Sequence, residues 1–198
     1  MIKLLFPLPK NVTIALSGGV DSVAITDFLS KKHNVSCAFF HHATAECQGA
    51  YDFVQQFCSD RSLPLTVGKL LVDKPKELSM EEHWRNERYV FLSKFETVVT
   101  GHNLDDCVET YLFSALNGTA KVIPSHRNNV FRPFLTTTKA EFVDWCLRKN
   151  IEWYQDASND DDRYNRNYIR KHLIPHALKV NPGLFKVVKK IVENKQKA

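Results

Sequence analysis

The chain has 198 residues, of which 43% are hydrophobic and 25% are charged, a composition typical of a single globular domain with a proper core. It contains no run of about 18 apolar residues and its start lacks the features of a signal peptide, so we expect neither a membrane span nor a secretory leader. The five cysteines are an odd number without a C-x-x-C pair. This spacing disfavours a disulfide framework, a zinc site or an iron–sulfur cluster, and it predicts reduced thiols in a cytoplasmic protein.

The net charge of +5 is unevenly distributed along the chain. Residues 163–198 contain ten Lys or Arg and one acid, Glu193, a net charge of +9, so the remainder carries −4. A basic segment on a mildly acidic body favours a polyanionic partner. The alternative is a solvated basic helix that serves only to keep the protein soluble.

Short apolar segments alternate with helical patterns over the first two thirds of the chain. Strands are predicted at residues 12–16, 35–40, 65–67 and 97–100, and helices at 20–32, 46–62, 79–93 and 104–116. This alternation predicts an α/β fold, a Rossmann-like parallel sheet with helices on both faces. Ligands of such sheets bind beyond the carboxyl ends of the strands, where this sequence has its polar clusters.

The last third of the chain is predicted to be mainly helical. We expect a loop over residues 119–129, helices over 136–149 and 164–179, and a short basic helix that frays over 184–195. Residues 1–135 are therefore predicted to form an α/β domain that carries these polar clusters. Residues 136–198 are predicted to form a helical, basic C-terminal extension that packs on the same domain.

The sequence S-G-G-V-D-S at residues 17–22 follows the first strand and opens a helix. Two glycines allow close approach of the backbone to an anion, and a helix N-terminus supplies free N–H groups. Asp21 predicts a bound Mg²⁺, because a carboxylate repels phosphates unless a cation bridges them. The segment is neither a Walker A loop nor G-x-G-x-x-G, and a plain tight turn is the alternative. The six residues match the signature of the PP-loop ATPases, in which this loop holds the pyrophosphate of ATP.

The sequence G-H-N-L-D-D-C-V-E-T at residues 101–110 follows the fourth strand. Asp105, Asp106 and Glu109 fall in the first turns of the following helix, directly after His102. Carboxylates and an imidazole beside a phosphate loop can bind a metal ion or move protons. The alternative is that the acids merely complement the helix dipole.

Two further segments combine arginines with aromatic and amide side chains. Arg85 and Arg88 are three residues apart on a predicted helix, where they can neutralise phosphates or pair with nearby surface glutamates. Arg163, Arg166 and Arg170 recur at helical spacing among tyrosines and asparagines, a combination that suits RNA phosphates and splayed bases. A capped helix with a charged outer face is the alternative reading of this second segment.

Together these segments resemble, in order, the N-terminal catalytic domain of the tRNA(Ile)-lysidine synthetase family. The resemblance covers residues 12–176. Its motifs are S-G-G-V-D-S, H-W-R-N-E-R-Y at 83–89, G-H-N-L-D-D-C-V-E-T, F-R-P-F-L at 131–135, W-Y-Q-D-A-S-N at 153–159 and R-N-Y-I-R-K-H-L-I-P at 166–175. The first motif marks the broad PP-loop ATP pyrophosphatase class, and the last three are specific to the family.

The resemblance implies an adenine nucleotide α-hydrolase-like PP-loop fold and an ATP-dependent ligase that forms a carbon–nitrogen bond. In the ATP-binding catalytic domain of residues 1–135, ATP with Mg²⁺ would adenylate the C2 oxygen of the wobble cytidine of tRNA(Ile) with a CAU anticodon. Free L-lysine would then displace AMP to give lysidine. The implied partners are therefore that tRNA and L-lysine.

The resemblance also implies roles for individual residues. The catalytic set would be Asp21, His102, Asp105, Asp106 and Glu109, with Asp21 and Asp105 as ligands of Mg²⁺. ATP would be bound by Ser17, Gly18, Gly19, Val20, Asp21, Ser22, His42 and Arg85. RNA would be bound by Arg88, Arg163, Arg166, Asn167, Arg170, Lys171, Lys186, Lys189 and Lys190.

The chain departs from the family in its second motif. The family's H-x-[DN]-H-G-L-R is F-F-H-H-A-T-A at residues 39–45, which keeps only His42. Familiar members also carry C-terminal domains that grip the tRNA, and we expect the basic residues 186–197 to replace them electrostatically. Three alternatives stay open: a tRNA thiolase of the same class, a catalytically decayed RNA-binding homologue, and a small-molecule amidotransferase-type ligase.

Overall fold

The computed structural model describes residues 2–72, 74–155 and 165–197. The strands are β1 (Asn11–Ala15), β2 (Asn34–His41), β3 (Leu65–Lys69), β4 (Val98–Val99), β5 (His126–Arg127) and β6 (Val130–Phe131). The helices are α1 (Val20–Ser30), α2 (Ala45–Asp60), α3 (Met80–Leu92), α4 (Leu104–Leu116), α5 (Lys139–Arg148), α6 (Asn165–Tyr168), α7 (Ile174–Val180) and α8 (Leu184–Lys197). Between α6 and α7 lies a π-helical turn, Ile169–Leu173.

The strands form one sheet in the order β3-β2-β1-β4-β6-β5. Every neighbouring pair is parallel except β5 and β6, so the predicted parallel α/β sheet is confirmed. The chain order reverses around β1, which pairs with β2 on one side and β4 on the other. Such a switch point opens a crevice at the carboxyl ends of the two flanking strands.

The prediction of a loop over residues 119–129 is wrong at its end, where β5 and β6 form a small antiparallel hairpin. Asn128 makes the turn with φ of +54°, a conformation that asparagine tolerates better than most residues. Each strand has only two residues, which is too short for a period-two pattern to show in the sequence.

Side chains from β2 pack on both faces of the sheet, as alternation along a strand requires. Cys37 and Phe39 belong to a buried cluster that includes residues of α1 and α2. Ala38, between them, belongs to a separate cluster with Phe91 and Leu92 of α3. Helices therefore cover both faces, in agreement with the predicted fold class.

The C-terminal helices pack on the α/β unit. Leu184, Val188 and Val192 of α8 are buried in a cluster with Leu104 and Val108 of α4. The helix predicted over residues 184–195 is confirmed, and it runs to Lys197. The single helix predicted over residues 164–179 is interrupted by the π-helical turn. None of the helices in the described ranges is long and apolar enough to cross a membrane.

Candidate active site

The S-G-G-V-D-S loop links β1 to α1 in a conformation that its own side chains hold. Gly18 has φ of +88°, and a Cβ there would lie 3.3 Å from the Phe53 ring, so glycine is needed on both counts. Ser22 Oγ donates to Gly19 O at 2.9 Å and accepts from Ser17 N at 3.2 Å. The two serines thereby fix the shape of the loop.

Among the described residues, no side chain caps the N-terminus of α1. Its N-cap residue, Gly19, has no side-chain capping hydrogen bond. Val20 buries its side chain in the core and contributes to the first turn through its backbone. Tyr154 N donates to Gly18 O at 2.9 Å, so the segment after α5 anchors the loop. Uncapped N–H groups and the positive end of the helix dipole form a site for an anion.

Gly101 brings the second polar cluster against this loop. A Cβ at Gly101 would lie 3.2 Å from both the backbone C and the Cβ of Asp21, and 3.3 Å from Ser22 N. Because real Cβ contacts are rarely that short, only glycine allows the end of β4 to approach the first turn of α1 so closely. This approach places His102 and Asp106 beside the phosphate loop.

A cavity of about 390 Å³ opens at this edge of the sheet, and we call it the loop cavity. It brings together eight of the residues predicted for catalysis, ATP binding or RNA binding: Ser17, Asp21, Ser22, His42, Arg88, His102, Asp106 and Arg166. Apolar side chains of Leu16, Ala38, Phe39, Phe40 and Leu92 form other parts of its wall. The replacement of the family histidine by Phe39 therefore makes this wall more apolar.

Asp21 has the features of a cation ligand. Its Oδ1 is buried without a hydrogen-bond partner among the described residues. Burial raises the pKa of Asp21 from 3.8 to about 6, against the lowering effect of Lys139, while Asp106 and Asp105 raise it further. A bound cation would satisfy the orphaned oxygen and relieve the repulsion among these acids.

The described residues contain no group of three or more His, Cys, Asp or Glu arranged to hold a metal ion. Mg²⁺ is commonly held by one or two carboxylates together with substrate phosphates and water. The donors here fit that mode of binding and do not fit an all-protein metal cage.

The two histidines that line the loop cavity are both held neutral at physiological pH. Burial lowers the pKa of His42 to about 4, and Arg88 and His41 act in the same direction. Burial lowers the pKa of His102 to about 3, assisted most by Arg132. His102 Nδ1 lies 2.8 Å from Thr100 Oγ1. A neutral imidazole offers one donor and one acceptor, so these rings suit hydrogen bonding to an uncharged group.

Asp106, Asp105 and Glu109 occupy three different settings. Asp106 Oδ2 accepts from Asn103 N at 3.0 Å in a capping box at the start of α4, and burial raises its pKa. Asp105 is absent from the cavity wall, and its Oδ2 accepts from Lys139 N at 2.8 Å, at the start of α5. Glu109 is buried away from the cavity. The structure therefore brings only Asp106 of the three to the wall beside Asp21.

Glu109 is the centre of an ion-pair network that joins α4 to the C-terminal helices. Its oxygens lie 2.7 Å from Arg170 Nη2 and 3.3 Å from Arg166 Nη1. Arg170 also lies 3.4 Å from Asp106 Oδ1. Two predicted RNA-binding arginines thus hold catalytic candidates in position, and Arg166 in addition reaches the cavity wall.

The other predicted binding residues are spread over the surface. Arg85 lines a second cavity, while Arg88, from the same helix, lines the loop cavity. Arg163 lies outside the described residues. Asn167 and Lys171 lie on α6 and the π-helical turn. The lysines of α8 that were predicted to bind RNA are exposed: Lys186, Lys189 and Lys190.

Tyr89 and Arg132 were not singled out from the sequence. Tyr89 lines both cavities, and Arg132 Nη2 donates to its hydroxyl at 3.1 Å. Arg132 is buried, and its Nε has no hydrogen-bond partner among the described residues. The available signals were the motifs H-W-R-N-E-R-Y and F-R-P-F-L, which carry these two residues.

A family model described as the PP-loop domain matches residues 4–177. The chain belongs to the PP-loop family. The assignment of the S-G-G-V-D-S loop to the PP-loop class is therefore confirmed, while the roles of the individual site residues stay predictions.

Curated relatives of this PP-loop protein carry the name tRNA(Ile)-lysidine synthase. That of Haemophilus ducreyi is 32% identical over 92% of this chain and 46% of its own length. That of Thermosipho africanus is 30% identical over 93% of this chain and 48% of its own length. The chain spans about half the length of these curated relatives.

Two solved structures share the fold of this PP-loop protein. The U34-tRNA thiolase NcsA from Methanococcus maripaludis superposes with a TM-score of 0.73 at 15% identity, covering 94% of this chain and 72% of that chain. The NH₃-dependent NAD synthetase from Campylobacter jejuni superposes with a TM-score of 0.54 at 15% identity, covering 95% and 86%. At such identity the likeness concerns the fold alone.

Proposed function

We propose that this PP-loop protein has the catalytic activity of a tRNA(Ile)-lysidine synthetase. It would join the ε-amine of L-lysine to C2 of the wobble cytidine of tRNA(Ile) with a CAU anticodon, and ATP would be converted to AMP and pyrophosphate. The observation that carries the proposal is the loop cavity, where an uncapped helix N-terminus and Asp21 adjoin His102, Asp106 and Arg88. The names of the relatives support this choice among PP-loop activities.

ATP is assigned to the loop cavity by the chemistry of its walls. The apolar side chains of Leu16, Phe39 and Phe40 suit an adenine ring. The first turn of α1 suits the phosphates. Asp21 would hold Mg²⁺, which supplies charge neutralisation to the phosphates when bound.

The lysine amine is protonated at neutral pH and has to lose a proton before it attacks. Burial raises the pKa of both Asp21 and Asp106, which makes each a better proton acceptor than an ordinary carboxylate. Because Asp21 is assigned to Mg²⁺, we assign proton acceptance to Asp106. His102, held neutral, is assigned to hydrogen bonding with the cytidine.

The RNA is assigned to the arginine side of the cavity and to α8. Arg88 and Arg166 line the cavity and can contact phosphates of a nucleotide inserted from the surface. The exposed lysines of α8 would add attraction that depends on salt rather than on sequence.

A thiolase is the less favoured alternative. Cys37, Cys58, Cys107 and Cys146 are buried. Within the described ranges, no three His, Cys, Asp or Glu side chains are arranged so that they could hold a metal ion. The described part of the chain therefore has no clustered thiolates that could bind an iron–sulfur cluster for sulfur transfer.

The test is attachment of radiolabelled lysine to a tRNA(Ile) transcript with a CAU anticodon, in the presence of ATP and Mg²⁺. The matched control is a methionine tRNA, which bears the same anticodon. Label on the isoleucine tRNA that is lost with Asp106→Asn supports the proposal. Absence of label while pyrophosphate is still released would assign a different nucleophile to the same cavity.

A further inference from the structure

A second cavity, of about 460 Å³, lies on the other side of Tyr89, and we call it the hairpin cavity. It is formed by the outer part of α3 and by the hairpin of β5 and β6. Its polar lining includes three arginines, Arg85, Arg127 and Arg132, and three asparagines, Asn86, Asn128 and Asn129. None of the described residues that line it carries a carboxylate.

The three arginines of the hairpin cavity form no ion pair with any described residue. Arg132 is buried, with a relative exposure of 3%. Its two Nη atoms donate hydrogen bonds to Pro124 O and to the Tyr89 hydroxyl. Its Nε, also buried, is left without a partner in the described part of the chain. Arg85 stacks over the Tyr89 ring at 5.2 Å, and Arg127 is exposed. A buried guanidinium without a counter-charge is costly unless an anion completes its surroundings.

Tyr89 is the wall that the two cavities share. Arg85 lies on its hairpin-cavity side and Arg88 on its loop-cavity side, with the Arg88 guanidinium 5.7 Å from the ring. Arginines therefore line the cavities on either side of this ring, an arrangement that suits a ligand with anionic groups spaced along its length. A single RNA strand is such a ligand, because its phosphates recur with every nucleotide.

We propose that the hairpin cavity binds a backbone phosphate, with its flanking nucleotide, of the RNA strand whose target nucleotide enters the loop cavity. The inference rests on the proposed function, since it presumes an RNA substrate. Arg127 and Arg85 contact the phosphate from the surface, and Arg132 Nε supplies a buried donor. Asn86, Asn128 and Asn129 provide hydrogen-bonding groups of the kind that meet splayed bases in single-stranded loops.

The experiment measures binding of the CAU anticodon stem-loop of tRNA(Ile) to the whole chain over a series of salt concentrations. Arg127→Ala removes an exposed side chain, so the fold should survive where Arg132 variants fail. It is expected to weaken RNA binding about five- to tenfold and to lower the salt slope by about 1. Arg127→Lys should recover the slope. ATP affinity should not change, because Arg127 does not line the loop cavity.

Arg148→Ala is the matched control, since it removes an exposed arginine whose partner is Asp144 on the same helix. It should leave both RNA affinity and the salt slope unchanged. An equal loss in the two variants, or no loss in either, overturns the inference. Inorganic pyrophosphate is titrated separately into the wild type and Arg127→Ala. If Arg127→Ala binds pyrophosphate more weakly but binds the RNA normally, the cavity binds a free anion and the inference is overturned.

Lysine attachment by the wild-type protein and RNA binding by Arg127→Ala together distinguish a wrong RNA site from a wrong function. If the wild-type protein attaches lysine and Arg127→Ala binds RNA normally, the hairpin cavity is not an RNA site and the function stands. If the wild-type protein binds no tRNA, both are overturned together.

Discussion

Arg170 donates a 2.7 Å hydrogen bond to Glu109, whose side chain is only 1% exposed, and so ties the π-helical turn to α4. Arg170→Met leaves this buried carboxylate with Arg166 alone, at 3.3 Å. We expect a loss of about 1–3 kcal/mol in the free energy of unfolding, the usual cost of a buried polar group that loses its partner. Urea denaturation measures it.

The surface pair of Arg148 and Asp144 provides the comparison, with both side chains more than half exposed. Arg148→Met should cost about 0–1 kcal/mol. Adding Glu109→Gln to Arg170→Met should recover part of the loss, because the uncompensated charge is removed. Similar losses at the buried and the surface pair would contradict the role given to Glu109.

Asp21→Asn should stabilise the ligand-free protein while it abolishes ATP-dependent chemistry. The pKa of Asp21 rises from 3.8 to about 6 on folding, so the folded state carries the cost of a buried charge above pH 6. Neutral asparagine removes that cost. The expected gain is on the order of 1–3 kcal/mol at pH 8, and it should shrink as pH falls from 6 towards 4 and both states become protonated.

Thermal unfolding of the wild type and of Asp21→Asn at pH 8 and pH 4 tests whether the substitution is stabilising and whether the gain shrinks at low pH. Asp27→Asn serves as the control, because Asp27 lies on the same helix but already pairs with Lys31 and Trp145. A destabilised Asp21→Asn protein at pH 8 would mean that the carboxylate is satisfied within the fold.

Gly101→Ala should impair ATP binding more than it impairs folding. The new methyl group would lie 3.2 Å from Asp21 and 3.3 Å from Ser22 N, so the first turn of α1 has to shift by a few tenths of an ångström. We expect ATP affinity to fall about tenfold or more, with a stability loss of about 1 kcal/mol. Calorimetric titration with ATP and Mg²⁺ measures the affinity.

Gly183→Ala is the control for this change. Its methyl group would meet the flexible end of the Asn181 side chain, far along the chain from the phosphate loop. Unchanged ATP affinity in Gly101→Ala would show that the close approach of β4 to α1 is not needed for nucleotide binding.

Replacing Lys186, Lys189 and Lys190 by glutamine should weaken RNA binding without unfolding α8. These side chains are exposed, while Leu184, Val188 and Val192 on the other side of the helix are buried. Binding across a salt series should show a slope lower by about 2–3. Deletion of the helix is a poorer test, because it removes core residues along with the charge.

A second triple variant on exposed lysines elsewhere, Lys32, Lys76 and Lys149 to glutamine, carries the same change in net charge. If both triple variants lower RNA affinity equally, net charge and not the surface of α8 accounts for the effect.

Much of the fold and the phosphate site could be predicted because their signals are local. The apolar runs that became β1 and β2 are each followed by polar residues at the carboxyl end of the sheet. The adjacent glycines Gly18 and Gly19, at the start of a helix, predict that the backbone approaches an anion closely. α4 has the predicted bounds, and its end is marked in the sequence by Asn117-Gly118, where Gly118 has a φ of +78°.

The arrangement within the site depends on contacts between distant segments, which periodicity does not reveal. Glu109 and Arg170 are 61 residues apart, and the sequence does not reveal that they pair. Arg85 and Arg88 share one helix, yet the position of Tyr89 between two cavities separates their surroundings. Sequence spacing alone assigns such side chains to a helix face but not to a cavity.

We propose that the loop cavity uses ATP to activate a tRNA nucleotide for attack by lysine. This proposal is tested most directly by pyrophosphate release from ATP with Mg²⁺, lysine and a CAU-anticodon tRNA(Ile), omitting each component in turn. We expect release that requires this tRNA, is absent with a methionine tRNA and is lost in Asp21→Asn. Release that is independent of RNA, or no release with any tRNA, would contradict it.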